Sequence, residues 1–214
     1  MNFEEKKQDP SWPVQLPDDS PVVRVIFLSL PKTAHTSVKA SLNFTGIRVL
    51  DAPEGEEILN RLISGERKSS IMKEFIPSWK ENLKFSFVRN PWDRVFSSWR
   101  EINCVYDGKD KFEPFLEKLR NGDISNPHSI WHCCKQLYHL KNNNGEIEAD
   151  FIGRFENLQL DFNILKSFFN LRAGHLSHLN QKTNGEYKEH YNDYTKKIVS
   201  QIYEEDIDYF KYSF

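Results

Sequence analysis

The sequence predicts an α/β protein in which helices cover both faces of a mostly parallel sheet. Three observations support this fold class: strand-like and helix-like segments alternate, the first strand is apolar almost throughout, and aromatic residues make up 14% of the chain. A strand without an inside-outside alternation is typical of a parallel sheet that is buried on both faces. Alternation of strands and helices predicts βαβ units. We therefore expect a three-layer sandwich with a core rich in large rings.

The N-terminal segment 1–20 is charged and repeatedly interrupted by proline, which predicts an extended arm rather than a helix. The length of 214 residues favours a single domain, expected over 21–214. Its first strand is VVRVIFLSL at 22–30, which is rich in β-branched residues. In the segment that follows, Thr36 or Ser37 can cap a helix. The next expected elements are a strand at 47–50, a helix at about 54–64 and a polar break at 65–70.

The second half of the chain continues the same alternation. LKFSFVRN at 83–90 is a further apolar strand, and Pro91 suits the first turn of the helix that follows it. DFIGRFE at 150–156 is the last expected strand. Apolar residues at helical spacing predict the remaining helices, at 111–122, 129–140, 157–170 and about 193–209, with a turn at 141–146.

Charge and cysteine content indicate the expected location and partners of the protein. Lys and Arg number 29 and Asp and Glu 31, a net charge of −2 that gives no overall attraction to nucleic acid or anionic membranes. The longest apolar run, at 22–30, is too short to span a bilayer. The three cysteines include the adjacent pair Cys133 and Cys134, which cannot bridge without strain. We expect a cytoplasmic protein without nucleic-acid or membrane partners.

The loop PKTAHTS at 31–37 is a predicted anion site. A loop that runs from a buried strand into a helix directs unpaired backbone N–H groups and the positive end of the helix dipole at one point. Lys32 adds a charge there, and Thr33, Thr36 and Ser37 add hydroxyl donors. An ordinary capped helix is the alternative. The phosphate loop of ATP-binding enzymes, GxxxxGK[ST], is absent, which disfavours ATP chemistry.

A second anion contact is predicted at Arg89, which follows the strand at 83–90. If the strands are parallel, Arg89 lies at the same sheet edge as Lys32, and Ser97 follows two helical turns later. An arginine can hold a phosphate group through two N–H donors, and Ser97 can donate to the same group. Asp93 and Arg94 are expected to form local structural ion pairs.

Four segments in order resemble the successive motifs of the PAPS-dependent sulfotransferases, most closely the carbohydrate-type branch: PKTAHTS, FVRNPWDRVFSSW, DFIGRFENLQLDF and the C-terminal segment from HLNQKTNG onward. The resemblance extends from about Val22 to Phe214. It implies a P-loop NTPase-like fold that binds 3′-phosphoadenosine 5′-phosphosulfate (PAPS) without a metal. It places the loop, including Ala34 and His35, around the 5′-phosphosulfate, and Arg89 with Ser97 on the 3′-phosphate.

The resemblance extends to four further donor-binding residues. Lys182 and Thr183 are implied to close over the 3′-phosphate, with a solvated loop as the alternative. Trp92 and Phe155 are candidates to pack near adenine, and for both a place in the core is an equal alternative.

Sulfuryl transfer builds charge on the leaving phosphate and removes a proton from the acceptor. Lys32 is the predicted group for the first task. The base is left open between His35, His132 and Glu101. His35 stands where the resembled family usually has a small residue, and it can either take the proton or contact phosphate. Packing near Trp131 is the alternative for His132, and a solvated helix face is the alternative for Glu101.

We interpret the chain as a sulfotransferase that moves a sulfuryl group from PAPS to a hydroxyl or amine of a carbohydrate or small-metabolite acceptor. Two alternatives remain open. One is a nucleotide kinase-like P-loop enzyme. The other is a non-catalytic module that binds PAPS or its product 3′-phosphoadenosine 5′-phosphate (PAP), suggested by the unusual His35 and by Lys68 near the place where relatives carry a histidine. His128 and His132 share a helix face, but no metal-binding motif accompanies them.

Overall fold

The computed structural model describes the chain over residues 25–43, 49–51, 60–61, 64–76, 79–105, 110–168, 176 and 186–214. The expected N-terminal arm, most of the expected helix at 54–64, and both Lys182 and Thr183 lie outside these residues.

A parallel sheet forms the centre of the protein. Its strands are β1 (Val25–Phe27), β2 (Val49–Asp51), β3 (Leu83–Val88) and β4 (Phe151–Arg154). They lie in the order β2-β1-β3-β4, and each neighbouring pair is parallel. The predicted strands are therefore confirmed. The strands β1, β3 and β4 end before the runs that predicted them, and β2 extends one residue beyond its own run. Because β1 and β3 are adjacent and parallel, the segments that follow them begin at the same edge of the sheet.

The helices that the structure describes are α1 (His35–Asn43), α2 (Lys68–Phe75), α3 (Pro91–Val105), α4 (Phe112–Asn121), α5 (Pro127–Cys133), α6 (Gln136–Leu140), α7 (Leu158–Phe168), α8 (Asp193–Ile202) and α9 (Glu204–Phe210). Short 3₁₀ turns occupy Trp79–Glu81, Phe155–Asn157 and Glu186–His190. Among these helices, none has both the length and the apolar composition required to cross a bilayer.

Helices pack on both faces of the sheet, as the sequence predicts. On one face, Phe27 and Phe85 stack with ring centroids 4.7 Å apart and pack against α1 and α7. On the other face, Ile26 and Leu28 pack against α2, α6 and α9. A third core lies beside the sheet between α3, α4 and α8, and the C-terminal residue Phe214 packs against it.

Two predictions of single long helices are wrong, because each segment contains a break. The segment 129–140 forms α5 and α6, separated by extended backbone at Cys134 and Lys135. The Asp206 carboxylate accepts hydrogen bonds from the first two backbone N–H groups of α6, at 2.7 and 2.9 Å, and so caps that helix from a distant part of the chain. The segment 193–209 breaks at Tyr203, whose hydroxyl donates to the Cys133 carbonyl at 2.7 Å.

The predicted polar break at 65–70 is wrong in its second half, because α2 begins at Lys68. The Lys68 side chain is fully buried, and its ammonium group donates to the Ser29 carbonyl at 2.7 Å. It also lies 4.7 Å from the centre of the Trp131 ring. A lysine that is buried by tertiary contacts therefore starts a helix that its polar sequence did not predict.

His139 on α6 is a buried histidine without hydrogen-bonding partners in the described structure. Its side chain is fully buried, neither ring nitrogen has a partner there, and the ring meets Trp131 edge to face at 4.5 Å. Burial, with the positive charges of Lys68 and Arg94, holds the pKa of His139 well below its usual value. The folded protein therefore keeps this ring neutral where the unfolded chain protonates it.

We expect this histidine to make the fold sensitive to acid. Below about pH 6.5 the unfolded chain binds one more proton at position 139 than the folded state does. As the pH falls, this residue therefore lowers the free energy of unfolding by at most about 1.4 kcal/mol per pH unit. In His139→Leu the loss of unfolding free energy between about pH 7.5 and about pH 5 should be smaller than in the wild type, as measured by urea unfolding. The exposed His128→Leu is the matched control. An equal pH dependence in wild type and His139→Leu would contradict the argument.

Candidate active site

The loop 31–34 between β1 and α1 has a strained backbone. Lys32 and Ala34 have positive φ angles of 66° and 67°, a conformation that residues other than glycine rarely adopt. Each such residue costs on the order of 1–3 kcal/mol, and such strain concentrates at functional sites. Turns that place successive backbone N–H groups on one side form concave anion sites. Positive φ angles at Lys32 and Ala34 are compatible with such a turn.

Contacts from three directions hold this strained loop in place. The buried Thr33 hydroxyl donates to the Leu30 carbonyl at 2.9 Å. Arg89 donates through Nη1 to the Lys32 carbonyl, also at 2.9 Å. The Ala34 carbonyl accepts the first hydrogen bond of α1. Thr33, expected as a donor to the anion, therefore uses its hydroxyl hydrogen inside the loop.

The helix after the loop begins at His35, so the expectation that Thr36 or Ser37 caps it is wrong. Both lie in the first turn, where Ser37 is buried and Thr36 is exposed. The Thr36 hydroxyl lies 3.4 Å from His35 Nε2. His35 is partly buried and belongs to the same first turn, where the helix dipole favours bound anions.

One face of α3 runs along the loop and presents Asp93, Ser97 and Glu101 at intervals of four residues. Asp93 holds the Arg89 guanidinium through two hydrogen bonds of 2.8 Å, and Glu101 forms an ion pair with the Lys32 ammonium group. Ser97 lies between these two contacts and is partly buried. The structure thus brings Lys32, Arg89, Ser97 and Glu101 to one region.

Arg89 is engaged on several sides. Three of its five N–H donors are used by Asp93 and by the Lys32 carbonyl, and its guanidinium lies 4.0 Å above the ring of Phe155. The predicted local ion pair of Asp93 therefore exists, and its partner is Arg89. Trp92 is only 5% exposed, and its indole donates to the Lys196 carbonyl at 3.2 Å, which favours the core alternative for this residue.

His132 on α5 lies on the other side of Glu101, with Nε2 3.8 Å from Glu101 Oε1. Its Nδ1 is 2.7 Å from the His128 carbonyl oxygen. Because a carbonyl only accepts, Nδ1 carries the hydrogen, and Nε2 is the nitrogen without a proton in the neutral ring. Burial lowers the pKa of His132, although its bond to His128 and the charge of Glu101 act in the opposite direction. The ring is therefore neutral at neutral pH.

Glu101 stays ionised between these basic groups. Burial alone would raise the pKa of Glu101, but the hydrogen bond and charge of Lys32, together with the nearby His132 and His35, lower it. A carboxylate that is paired with an ammonium group is a poor proton acceptor. All four predicted catalytic candidates are thus neighbours, and the neutral His132 ring has the protonation state that a base needs.

Arg94 and Gln136 stabilise this region, and the sequence predicted this role for neither residue. Arg94 is buried, and its guanidinium contacts the carbonyl groups of His132 and Cys134 at the end of α5. Its expected local ion pair is wrong, because its partners are helix-terminal carbonyls. Gln136 is also buried, and its amide both accepts from and donates to the Arg89 backbone, at 2.8 and 2.9 Å. These partners lie 38 and 47 residues apart in the chain, so no local sequence signal indicates them.

The described residues contain no group of three or more His, Cys, Asp or Glu side chains arranged to hold a metal ion. Within them, this region combines a strained loop at a helix N-terminus, two cations and a neutral histidine. In an α/β protein such a combination suits an anionic group beside a proton acceptor.

Comparison with known proteins identifies the family. The model of the Sulfotransferase family matches residues 19–213, and the chain belongs to this family. The crystal structure of a sulfotransferase from Alicyclobacillus acidocaldarius has a similar fold, with a TM-score of 0.50 and 13% sequence identity over 84% of this chain and 93% of that chain. No curated protein matches the chain significantly.

Proposed function

We propose that this sulfotransferase transfers a sulfuryl group from PAPS to a hydroxyl group of a carbohydrate or small-metabolite acceptor. One sulfotransferase domain over 21–214, with a P-loop-like anion loop and a cytoplasmic location, belongs to the same proposal. The observation that carries it is the strained loop 31–34, held by Arg89, with the Lys32 ammonium group close to Glu101 and His132.

The residues of the loop fit the donor. Its backbone N–H groups and the N-terminus of α1, with Thr36, Ser37 and His35, would hold the 5′-phosphosulfate. Arg89 and Ser97 would hold the 3′-phosphate, because Arg89 keeps two N–H donors beyond the three that Asp93 and the loop use. Phe155, stacked on Arg89, would border the adenine, and Lys182 and Thr183 would close over the nucleotide.

The donor supplies the sulfuryl group, and the protein supplies charge and a base. As the acceptor oxygen bonds to sulfur, the bond from sulfur to the 5′-phosphate oxygen breaks and leaves its electron pair on the phosphate. Lys32 neutralises that oxygen, and His132 Nε2 receives the acceptor proton. His132 is preferred over Glu101 because the carboxylate is paired with Lys32, and over His35 because the first turn of α1 would hold His35 against phosphate.

A comparison of two isomeric nucleotides tests the donor assignment. PAP and ADP have the same composition, but only PAP has a 3′-phosphate for Arg89 and Ser97. At a hundredfold excess over its dissociation constant, PAP should stabilise the fold by about 2.7 kcal/mol, and ADP and ATP by much less. Thermal unfolding and calorimetric titration measure both effects.

Ser97→Ala should reduce the difference in affinity between PAP and ADP. The substitution should weaken PAP binding by about tenfold and leave ADP binding nearly unchanged. Ser200→Ala on α8 is the matched control, since the Ser200 hydroxyl donates only within its own helix. Equal stabilisation by PAP and ADP would rule out the assigned 3′-phosphate site, and a preference for ATP would favour a kinase-like enzyme. PAP binding without transfer from labelled PAPS to a panel of acceptors would indicate a binding module.

A further inference from the structure

Glu101 stands between the two groups that the proposed reaction uses. Its Oε2 forms the ion pair with the Lys32 ammonium group, and its Oε1 lies 3.8 Å from His132 Nε2. The Glu101 side chain is one third exposed, which gives the carboxylate room to move. One carboxylate therefore contacts both the proposed stabiliser of the leaving group and the proposed base.

In this arrangement the Lys32 ammonium group is not positioned to stabilise the leaving oxygen. Its charge is balanced by Glu101, whereas the proposed reaction requires that charge on the oxygen that leaves sulfur. A bound donor brings several negative charges to the loop, which attract the Lys32 ammonium group and repel the Glu101 carboxylate. Donor binding and the Lys32–Glu101 ion pair therefore oppose each other.

Breaking this pair changes the surroundings of His132. The charged and titratable groups around that ring come from the loop, from α3, from α5 itself and from α6: Lys32, Arg94, Glu101, His128 and His139. Lys32 and Arg94 disfavour a proton on His132, and Glu101 favours it. When Lys32 turns to the donor, its charge no longer balances Glu101, and the carboxylate then acts on its neighbours His132 Nε2 and His35.

We propose that Glu101 couples donor binding to base strength: the donor draws Lys32 away from Glu101, and the released carboxylate then supports the proton that His132 takes from the acceptor. Glu101 acts here as a positioning residue through Lys32 and His132. This coupling rests on the proposed function, because it assumes that the loop binds the donor. It keeps His132 a weak base until the donor is in place.

The experiment follows the His132 ring by NMR during a pH titration, with and without saturating PAP. In the wild-type protein, PAP should raise the pKa of His132 by about one to two units. In Glu101→Gln the phosphate charges still act but the carboxylate is gone, so the rise should be less than half as large. Lys32→Gln should raise the pKa of His132 by about one unit without any nucleotide, because it removes the Lys32 charge and releases Glu101.

Glu113→Gln on α4 is the matched control and should behave as wild type, since its carboxylate contacts Asn192 on another surface. Equal PAP-induced shifts in wild type and Glu101→Gln would overturn the coupling, and so would an unchanged His132 in Lys32→Gln. Calorimetry separates this failure from failure of the proposed function: if PAP does not bind the wild-type protein at all, the donor site itself is wrong.

Discussion

Lys32→Ala is expected to reduce the turnover of sulfuryl transfer by about 10³-fold, equivalent to about 4 kcal/mol of transition-state stabilisation. The lost ammonium group is the cation that the proposed reaction places against the developing charge on the leaving oxygen. PAP binding should weaken by only about tenfold, because the backbone N–H groups and Arg89 remain. Single-turnover transfer from labelled PAPS at saturating donor measures the chemical step directly.

Lys39→Ala is the matched control, because Lys39 lies on α1 and is partly buried like Lys32, but it is more than one helical turn from the loop. It should keep nearly full turnover. Urea unfolding should show that both variants fold. If Lys32→Ala turned over at a near-normal rate with saturating donor, Lys32 would not stabilise the leaving group.

The arrangement of β1, the loop and α1 could be predicted from sequence because local signals determine it. A run of apolar β-branched residues predicts a buried strand. A polar loop before a helical pattern predicts unpaired backbone N–H groups at the N-terminus of that helix. The strain at Lys32 and Ala34 could not be predicted in this way. It depends on Arg89, which reaches the Lys32 carbonyl from the end of another strand.

The breaks between α5 and α6 and between α8 and α9 show the same limit. Residues 129–140 have continuous helical spacing, so local sequence favours one helix. The break is stabilised by Arg94, which contacts carbonyls at the end of α5, and by Asp206, which caps α6. Both partners come from distant parts of the chain, and tertiary contacts override local preference here.

The members of the candidate site were named from sequence, but their pairing was not. The spacing of Asp93, Ser97 and Glu101 already places these three residues on one face of a helix. The sequence also predicts that Arg89 and Ser97 lie at the same sheet edge as Lys32, but it does not predict that Asp93 pairs with Arg89 and Glu101 with Lys32. Once β1 and β3 lie side by side and parallel, Arg89 reaches Lys32, and Asp93 and Glu101 follow on the same side.

His132→Asn is expected to lower turnover by about 10²-fold to 10⁴-fold, the usual contribution of a general base. Asparagine keeps a polar side chain of similar size but cannot accept the acceptor proton. In the wild type the neutral ring is the active form, so turnover should rise with pH through the pKa of His132 and then level off. In His132→Asn that rise on the acidic side should disappear, as a pH–rate profile at saturating donor and acceptor would show.

The control for this prediction is on the same helix. His128 is exposed one turn before His132. Its backbone carbonyl, not its side chain, makes the 2.7 Å contact with His132 Nδ1, so His128→Asn leaves that hydrogen bond intact. It should therefore keep both the turnover and the acidic limb of wild type. If His132→Asn retained the acidic limb, another group would be titrating. If the acidic limb vanished in His35→Asn instead, the titrating base would be His35 in the first turn of α1, where its imidazole lies beside the Thr36 hydroxyl.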